Sequence, residues 1–464
     1  MNTNQERQDF DYTDTNTYIP TMFDLQKYID FGKLFIEKEL NKKYAEEKHI
    51  RVIVHKNKAL LRYIKEYLNK DNIKTLGLFR SVIYDIENNK IICFSPPKSH
   101  CYEDFVGTVM NTQDLQTMNF VEGTMINMFW DPTTNDIEIS TKSNIGANCY
   151  FSIDKNKQSF RDMMFDAFEK HTLDFKEKYF NKHTSQYEVD SIWKPPKNMC
   201  FSMVLQHPQN RIVTKFEKKS IHLIAVYEMD GFTVKPRYDL IKKYNQDNNI
   251  IYDNIYSETH AKETHLLQTN KLYDYYELLD FKEKYELEAK SQDKISMGVV
   301  LYAKETGFHT KIRNPTYEYI RQLKGNNIKP QYRFYELKKA SDPDTLISEY
   351  LMYFPEHTVL FECYENDFID NINKLYNMYV KCFIKHEIKL KDTPYNFKPH
   401  LYNIHGMYLN DVKEHGVASS SITKNNVTEY IIQLEIPKIL HFMNYNLKKN
   451  MGYYDNSIPQ VTET

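Results

Sequence analysis

Eight apolar, β-branched or aromatic runs fall between residues 76 and 312, and they restrict what this chain can fold into more than any other feature. LGLFRSVIYD (76–85) and KIICFS (90–95) flank Asn88-Asn89 and predict a hairpin. FVEGTMINMFWD (120–131), NDIEIST (135–141), MCFSMVLQ (199–206), SIHLIAVYEM (220–229), VVLYA (299–303) and FHTKI (308–312) predict further strands. Among them, SFRDMMFDAFEKH (159–171) carries helical spacing. Sheet interrupted by inserted helix is an α+β pattern.

On either side the period changes. Residues 1–20 are polar. From Asp24 to Lys48, Leu25, Tyr28, Ile29, Ile36 and Leu40 recur at helical spacing, and Leu60, Leu61, Ile64, Tyr67 and Leu68 predict a second helix. After the last strand, Asn314 reads as an N-cap, Pro315 as first turn and Gly325 as the residue past the helix end. ENDFIDNINKLYNMYVKCFIKH and ITKNNVTEYIIQLEI predict further helices, the second capped by Thr423. The charged stretch 258–290 reads as a helical surface insertion; His260 and His265 in it are five apart, which does not put both on one helix face. The expected division is 1–70, a polar tail and helices; 71–325, the sheet domain; and 326–464, a helical domain. A chain of 464 residues has room for two or three domains.

The net charge of −2 supplies no global field for nucleic acid, so any such surface must be a local patch. The six cysteines (93, 101, 149, 200, 363, 382) contain no CxxC pair, which predicts neither a zinc site nor a disulfide framework but a reducing compartment. The opening MNTNQERQDFDYTDTNTYIP lacks the apolar core of a signal peptide, and no run of ~18 apolar residues predicts a membrane span.

Five short motifs in order across 75–325 make this region resemble the nucleotidyltransferase domain of phage-type RNA ligases, and within that group ligase-like proteins of large DNA viruses. The resemblance implies an ATP-grasp-like two-sheet ligase domain flanked by helical regions. In that family a lysine attacks the α-phosphorus of ATP, and AMP then passes to a 5′-phosphate before sealing. The nucleophile motif, Lys-x-Asp/Asn-Gly-Ser/Thr, falls on Phe120-Val121-Glu122-Gly123-Thr124, so acid, glycine and hydroxyl are kept and the amine is not. An early arginine falls on Arg80, a basic strand residue on Lys142, and a closing Lys-x-Lys on Lys311-Ile312-Arg313. Pro208-Gln209-Asn210-Arg211-Ile212-Val213 keeps a Pro-x-Asn-Arg-Ile-Val tail, while two expected glutamates are Val204 and Met297.

The resemblance therefore implies a chain that keeps its anion-binding half and lacks its reactive half. It assigns nucleotide and phosphate contacts to Arg80, Glu122, Lys142, Lys311 and Arg313, ATP and Mg²⁺ as cofactors, and RNA as partner. It also implies a cytoplasmic viral factory or a virion as location. Taken without it, Arg80 is a sheet-edge arginine, Lys142 and Lys311 are solvated strand lysines, Glu122-Gly123-Thr124 is a turn and the PxNRIV run a strand exit. Two other readings stay open. One is an inactive ligase-fold RNA-binding or virion component. The other is a capping-type guanylyltransferase using Lys74 of KTLGLFR. Lys74, and Lys98 in SPPKS, are the lysines best placed to replace the missing nucleophile.

Overall fold

The structure, a computed structural model, describes residues 22–111, 115–150, 158–168, 180–181, 186–187, 196–237, 240–241, 255–256, 267, 271–290, 296–303, 306–327, 329–416 and 421–450. Two compact units are present, Met1–Glu318 and Tyr319–Thr464, and the division falls inside the helix Pro315–Lys324.

Three larger sheets build the first unit, antiparallel except where the two-residue strand Ile255–Tyr256 pairs parallel with Ser220–Asp230, and two two-residue hairpins accompany them. Strands β1 (Ile50–His55), β2 (Lys58–Tyr63), β3 (Val82–Asp85) and β4 (Lys90–Phe94) pair in chain order. The next strands are β5 (Leu115–Asn119), β6 (Thr124–Asp131), β7 (Asp136–Ser140), β8 (Met199–Gln206), β9 (Ser220–Asp230) and β10 (Thr233–Pro236). β11 (Gly298–Ala303) and β12 (His309–Arg313) complete them. The largest sheet runs β10-β9-β8-β6-β7, with Phe23–Asp24 on its β10 edge, and the third sheet runs β12-β11-β5.

The alternation of side chains along β6 and β8 separates two cores. Phe129 pairs with Cys200, and both pack against the four-stranded sheet with Phe94 and Tyr227. Their neighbours Met128 and Phe201 face the other way, onto Met163, Met164 and Phe165 of the helix Phe160–Phe168. A slip of one residue would exchange the two cores, so burial on both faces fixes the register. The third sheet buries its far face, Leu301 and Ile312, under the helices Tyr102–Val109 and Tyr275–Lys290. One side of the expected surface insertion is thus core, through Leu278, Tyr285 and Ala289. His260 and His265 lie outside the described residues.

The two helices expected before residue 70 are not formed. Asp24–Lys48 breaks into a 3-10 turn (Leu25–Lys27), a one-turn helix (Phe31–Leu34), a two-residue hairpin and the helix Lys42–Glu47. Asp24, Asp30 and Asn41 each accept a backbone N–H, from Gln26, Lys33 and Tyr44, and each capping bond starts a new short element. Leu60 and Leu61 lie on β2, opposite Ile53 and Val52 of β1, across a turn where Lys56 has φ +54°. The β-branched run Val52-Ile53-Val54 outweighs the helical spacing that follows it. Residues 22–70 therefore belong to the first unit.

The later helices agree with their signals. Asn314 Oδ1 accepts from the N–H of Thr316, and Gly325 ends the helix at φ +74°. Thr423 forms a capping box with Asn426. In the second unit, helices Pro330–Lys338, Pro343–Tyr353, Thr358–Tyr379, Lys398–His415, Lys424–Gln433 and Ile436–Asn450 bury Phe334, Phe361, Leu375, Leu401, Ile431 and Phe442. All six cysteines are free, and no helix among the described residues is long and apolar enough to cross a membrane.

Candidate functional site

The third sheet sets the site. β11 pairs with β12 so that Val300 lies opposite Lys311 and Gly298 opposite Arg313, and with β5 so that Val300 also meets Met118. Residues two apart on a strand share a face, so Lys311 and Arg313 point to one side. Phe120, one residue past β5, joins them: its N–H donates to Gly298 O at 2.9 Å. The Lys311 ammonium lies 4.3 Å from the centre of the Phe120 ring and the Arg313 guanidinium 6.0 Å from it. Gly298 is required here, since at φ +138° a Cβ would stand 2.2 Å from Ile312 O.

Further cations arrive from the other sheets. Lys98 sits on a loop held at both ends, by its own N–H to Gly77 O and by His100 N–H to His309 O, each 2.9 Å. Arg80 is fixed between the buried Phe79 and Ser81. Lys142 rides the turn after β7, where Thr141 Oγ1 accepts from the N–H groups of Ser143 and Asn144, and its ammonium lies 5.3 Å from the ring centre of Tyr63 on β2.

These cations act on one another. Burial, then Arg80, Arg313 and Lys98, push Lys311 down to about 7. Burial, then Arg80, Arg62, Lys65 and Lys98, lower Lys142, and burial, then Arg80 and Arg313, lower Lys98. Arg80 is thus felt at all three lysines, and Lys98 at Lys142 and Lys311, so these cations form one cluster of like charge. Among the described residues Arg313 is ion-paired, to Glu318, whereas Arg80, Lys98, Lys142 and Lys311 have no carboxylate within ion-pair distance. Lys98, Lys311 and Arg313 also line a cavity of about 390 Å³ with Lys70, His100 and Tyr102.

Glu122 does not join them. It is buried, and its carboxylate accepts from the backbone N–H of Val213 at 2.6 Å and of Thr214 at 3.0 Å. Asn210 Nδ2 donates to Thr124 Oγ1 at 2.8 Å, so the PxNRIV segment is fastened to the Glu-Gly-Thr turn from both sides. Gly123 has φ +147°, and a Cβ there would meet Leu205 O at 2.4 Å. Lys74 is exposed, and its charge is felt at His100 instead of at the groove lysines.

A resident divalent metal does not fit these residues. Glu122 is engaged by two backbone amides, Val204 and Met297 offer no oxygen ligand from their side chains, and no cluster of three or more metal-ligating side chains occurs among the described residues. The groove cations do fit phosphate oxygens.

The sequence pattern did not assign Arg62, Tyr63 and Lys65 to the site, because it placed Leu60–Leu68 on a helix outside the sheet domain. The overlooked signal is the β-branched run Ile50–Val54 followed by Lys56-Asn57, which forms a hairpin.

No family model and no curated protein matches the sequence. Solved structures with similarity include an archaeal ATP-dependent RNA ligase, at 9% identity over 70% of this chain and 69% of that one, TM-score 0.36. A second form of that ligase gives 10% identity over 67% of each chain, TM-score 0.37. A Naegleria gruberi RNA ligase solved with PPi gives 11% identity over 50% of this chain and 59% of that one, TM-score 0.31. All three likenesses are remote.

Proposed function

We propose that the groove of Arg80, Lys98, Lys142, Lys311 and Arg313 binds the phosphates of ATP and of RNA ends, in a ligase-like nucleotidyltransferase domain. The observation that carries this reading is that Arg80 acts on three lysines at once while none of the four has a carboxylate partner among the described residues. Unneutralised like charge in a half-buried groove is unfavourable for the fold alone, and a phosphate removes the repulsion. At the motif position for the attacking amine stands the ring of Phe120, so the reading is one of binding, with no turnover assigned to that position. Any divalent ion enters bound to the triphosphate.

Titrating the whole chain with labelled ATP and with 5′-phosphorylated single-stranded RNA tests it. Both should bind, and inorganic pyrophosphate should compete. Failure of both ligands to bind at low salt, with the protein folded, would refute the reading.

A further inference from the structure

The second unit has a cavity of its own, of about 660 Å³. It is enclosed by the 3-10 turn Leu390–Asp392, the chain leading out of that turn, and the helices Lys398–His415 and Ile436–Asn450. The Lys398 ammonium donates to Lys391 O at 2.6 Å and ties the turn to the first of these helices. Phe397, Leu401 and Phe442 are buried in the core. Tyr395 and Tyr402 instead face solvent, with 73% and 71% of their surface exposed, and both line the cavity with Pro399 and His441. Tyr395 stacks on Tyr445, ring centres 6.3 Å apart, so aromatic surface continues along the last helix.

The charge around these rings is one-sided. Residues 381–398 carry five lysines against Glu387 and Asp392, and the helix Ile436–Asn450 carries three lysines and no acid. Lys391 itself lines the cavity and has no carboxylate within ion-pair distance among the described residues. Exposed ring faces suit either a proline-rich peptide or a nucleobase. The excess of lysine favours the polyanion, because a proline-rich helix brings no phosphates to it. Bases inside a duplex stack on one another and offer only their edges, so a tyrosine face can stack only on an unpaired base.

We propose that this surface of the second unit binds single-stranded nucleic acid. Unpaired bases stack on Tyr395 and Tyr402, and the adjoining phosphodiesters meet Lys391 and its neighbouring lysines. This deepens the proposed function, on which the choice of a nucleic-acid partner rests, while none of the cavity residues belongs to the phosphate groove.

The experiment titrates the full chain with a short 5′-hydroxyl oligouridylate and with an abasic phosphodiester oligomer of equal length. Both titrations are repeated in the Lys311→Ala, Arg313→Ala variant, so that binding in the groove does not mask the result. In either protein the oligouridylate should bind about 30-fold or more tightly than the abasic strand, the scale of two stacked bases. Tyr395→Ala with Tyr402→Ala should abolish that preference, and Tyr395→Phe with Tyr402→Phe should keep it, with folding checked by thermal melting. Photocrosslinking of a strand carrying 5-iodouridine should map to Tyr395 or Tyr402. A base preference that survives the alanine pair, or crosslinks confined to the first unit, overturns this inference and leaves the groove reading standing. A proline-rich peptide held at the tyrosines with no base preference also overturns it. Crosslinks at the tyrosines, with affinity for ATP and 5′-phosphorylated RNA unchanged by Lys311→Ala and Arg313→Ala, support this inference and overturn the groove.

Discussion

Lys142 and Lys311 sit in the same groove, each above an aromatic ring, and both are depressed by burial and by Arg80. Their surroundings differ. Lys142 lies 5.3 Å from Tyr63, and two of the cations acting on it come from before the recognisable motifs, Arg62 from the hairpin strand and Lys65 from the 3-10 turn after it. Lys311 lies 4.3 Å from Phe120, lines the cavity, and is flanked by Arg313 two residues along its own strand. Lys142 therefore lies outside the cavity, and Lys311 lies within it, where the segment 68–104 meets the last strand of the three-stranded sheet. On the proposed reading, Lys142 meets a passing phosphodiester backbone and the cavity takes a terminal phosphate or triphosphate.

The largest effect should come from stripping the cavity of its cations. Lys311→Ala with Arg313→Ala should weaken binding of 5′-phosphorylated RNA by about 100-fold or more, on the scale of two charged hydrogen bonds. Lys142→Ala should weaken it by about tenfold and should affect 5′-hydroxyl RNA equally. Direct titrations with both strands measure this, and equal losses from the two sets of variants for both strands would erase the distinction.

Glu122 lies two residues from Phe120 yet outside the groove, so it separates fold from binding. Glu122→Ala leaves the amides of Val213 and Thr214 without their acceptor and should cost about 2 kcal/mol or more of stability. Denaturant unfolding should register that loss, while RNA affinity at a temperature where the variant is folded stays within about twofold of the parent.

How much of this was legible in the sequence depended on whether a residue signals locally. β8 and β9 were readable because their long β-rich runs are bounded by breaks, and the Asn314 and Thr423 caps because capping is a local interaction. The segment Asp24–Lys48 misled because Phe23, Leu25, Phe31 and Leu34 are buried against residues far along the chain, including Tyr84 and Phe232, a tertiary demand that imitates helical spacing. The motif positions named Arg80, Lys142, Lys311 and Arg313; in the structure Arg80 acts electrostatically on Lys142 and Lys311, and Arg313 on Lys311. The same motif pattern gave Glu122 a ligand contact, and the structure engages it with backbone amides. An acid beside a glycine reads alike in either role, since its partners at 213 and 214 are about ninety residues away.

A smaller effect is electrostatic. Lys311 has a folded value of about 7, below its unfolded value near 10.5, so between these limits the unfolded chain binds more protons and stability rises with pH. Below about 7 the folded groove carries the full repulsion of Lys311 with Arg80, Arg313 and Lys98. Pyrophosphate, which relieves it, should raise the melting temperature more at about pH 6.5 than at about pH 9. Lys311→Met should shrink that difference in a calorimetric series. An equal shift at both values would mean that Lys311 keeps its proton throughout.

The smallest expected effects are those of the two rings. Replacing Tyr63 by Leu removes a cation–π contact at a partly exposed site and should weaken RNA binding about two- to fivefold. The Phe120→Leu change should act mainly on ATP, by loosening the seat of Lys311.

The most direct test is a salt series of equilibrium titrations of the whole chain with 5′-phosphorylated single-stranded RNA, beside the Lys311→Ala, Arg313→Ala double variant. Each phosphate neutralised contributes about −0.7 to the slope of log affinity against log salt. At about pH 6, where Lys311 carries its proton, at least three engaged cations predict a slope of about −2 or steeper for the parent, and one flatter by about 1.4 in the double variant. A parent slope near zero, or a double variant with the parent's slope and affinity, would contradict the assignment of this groove to phosphate.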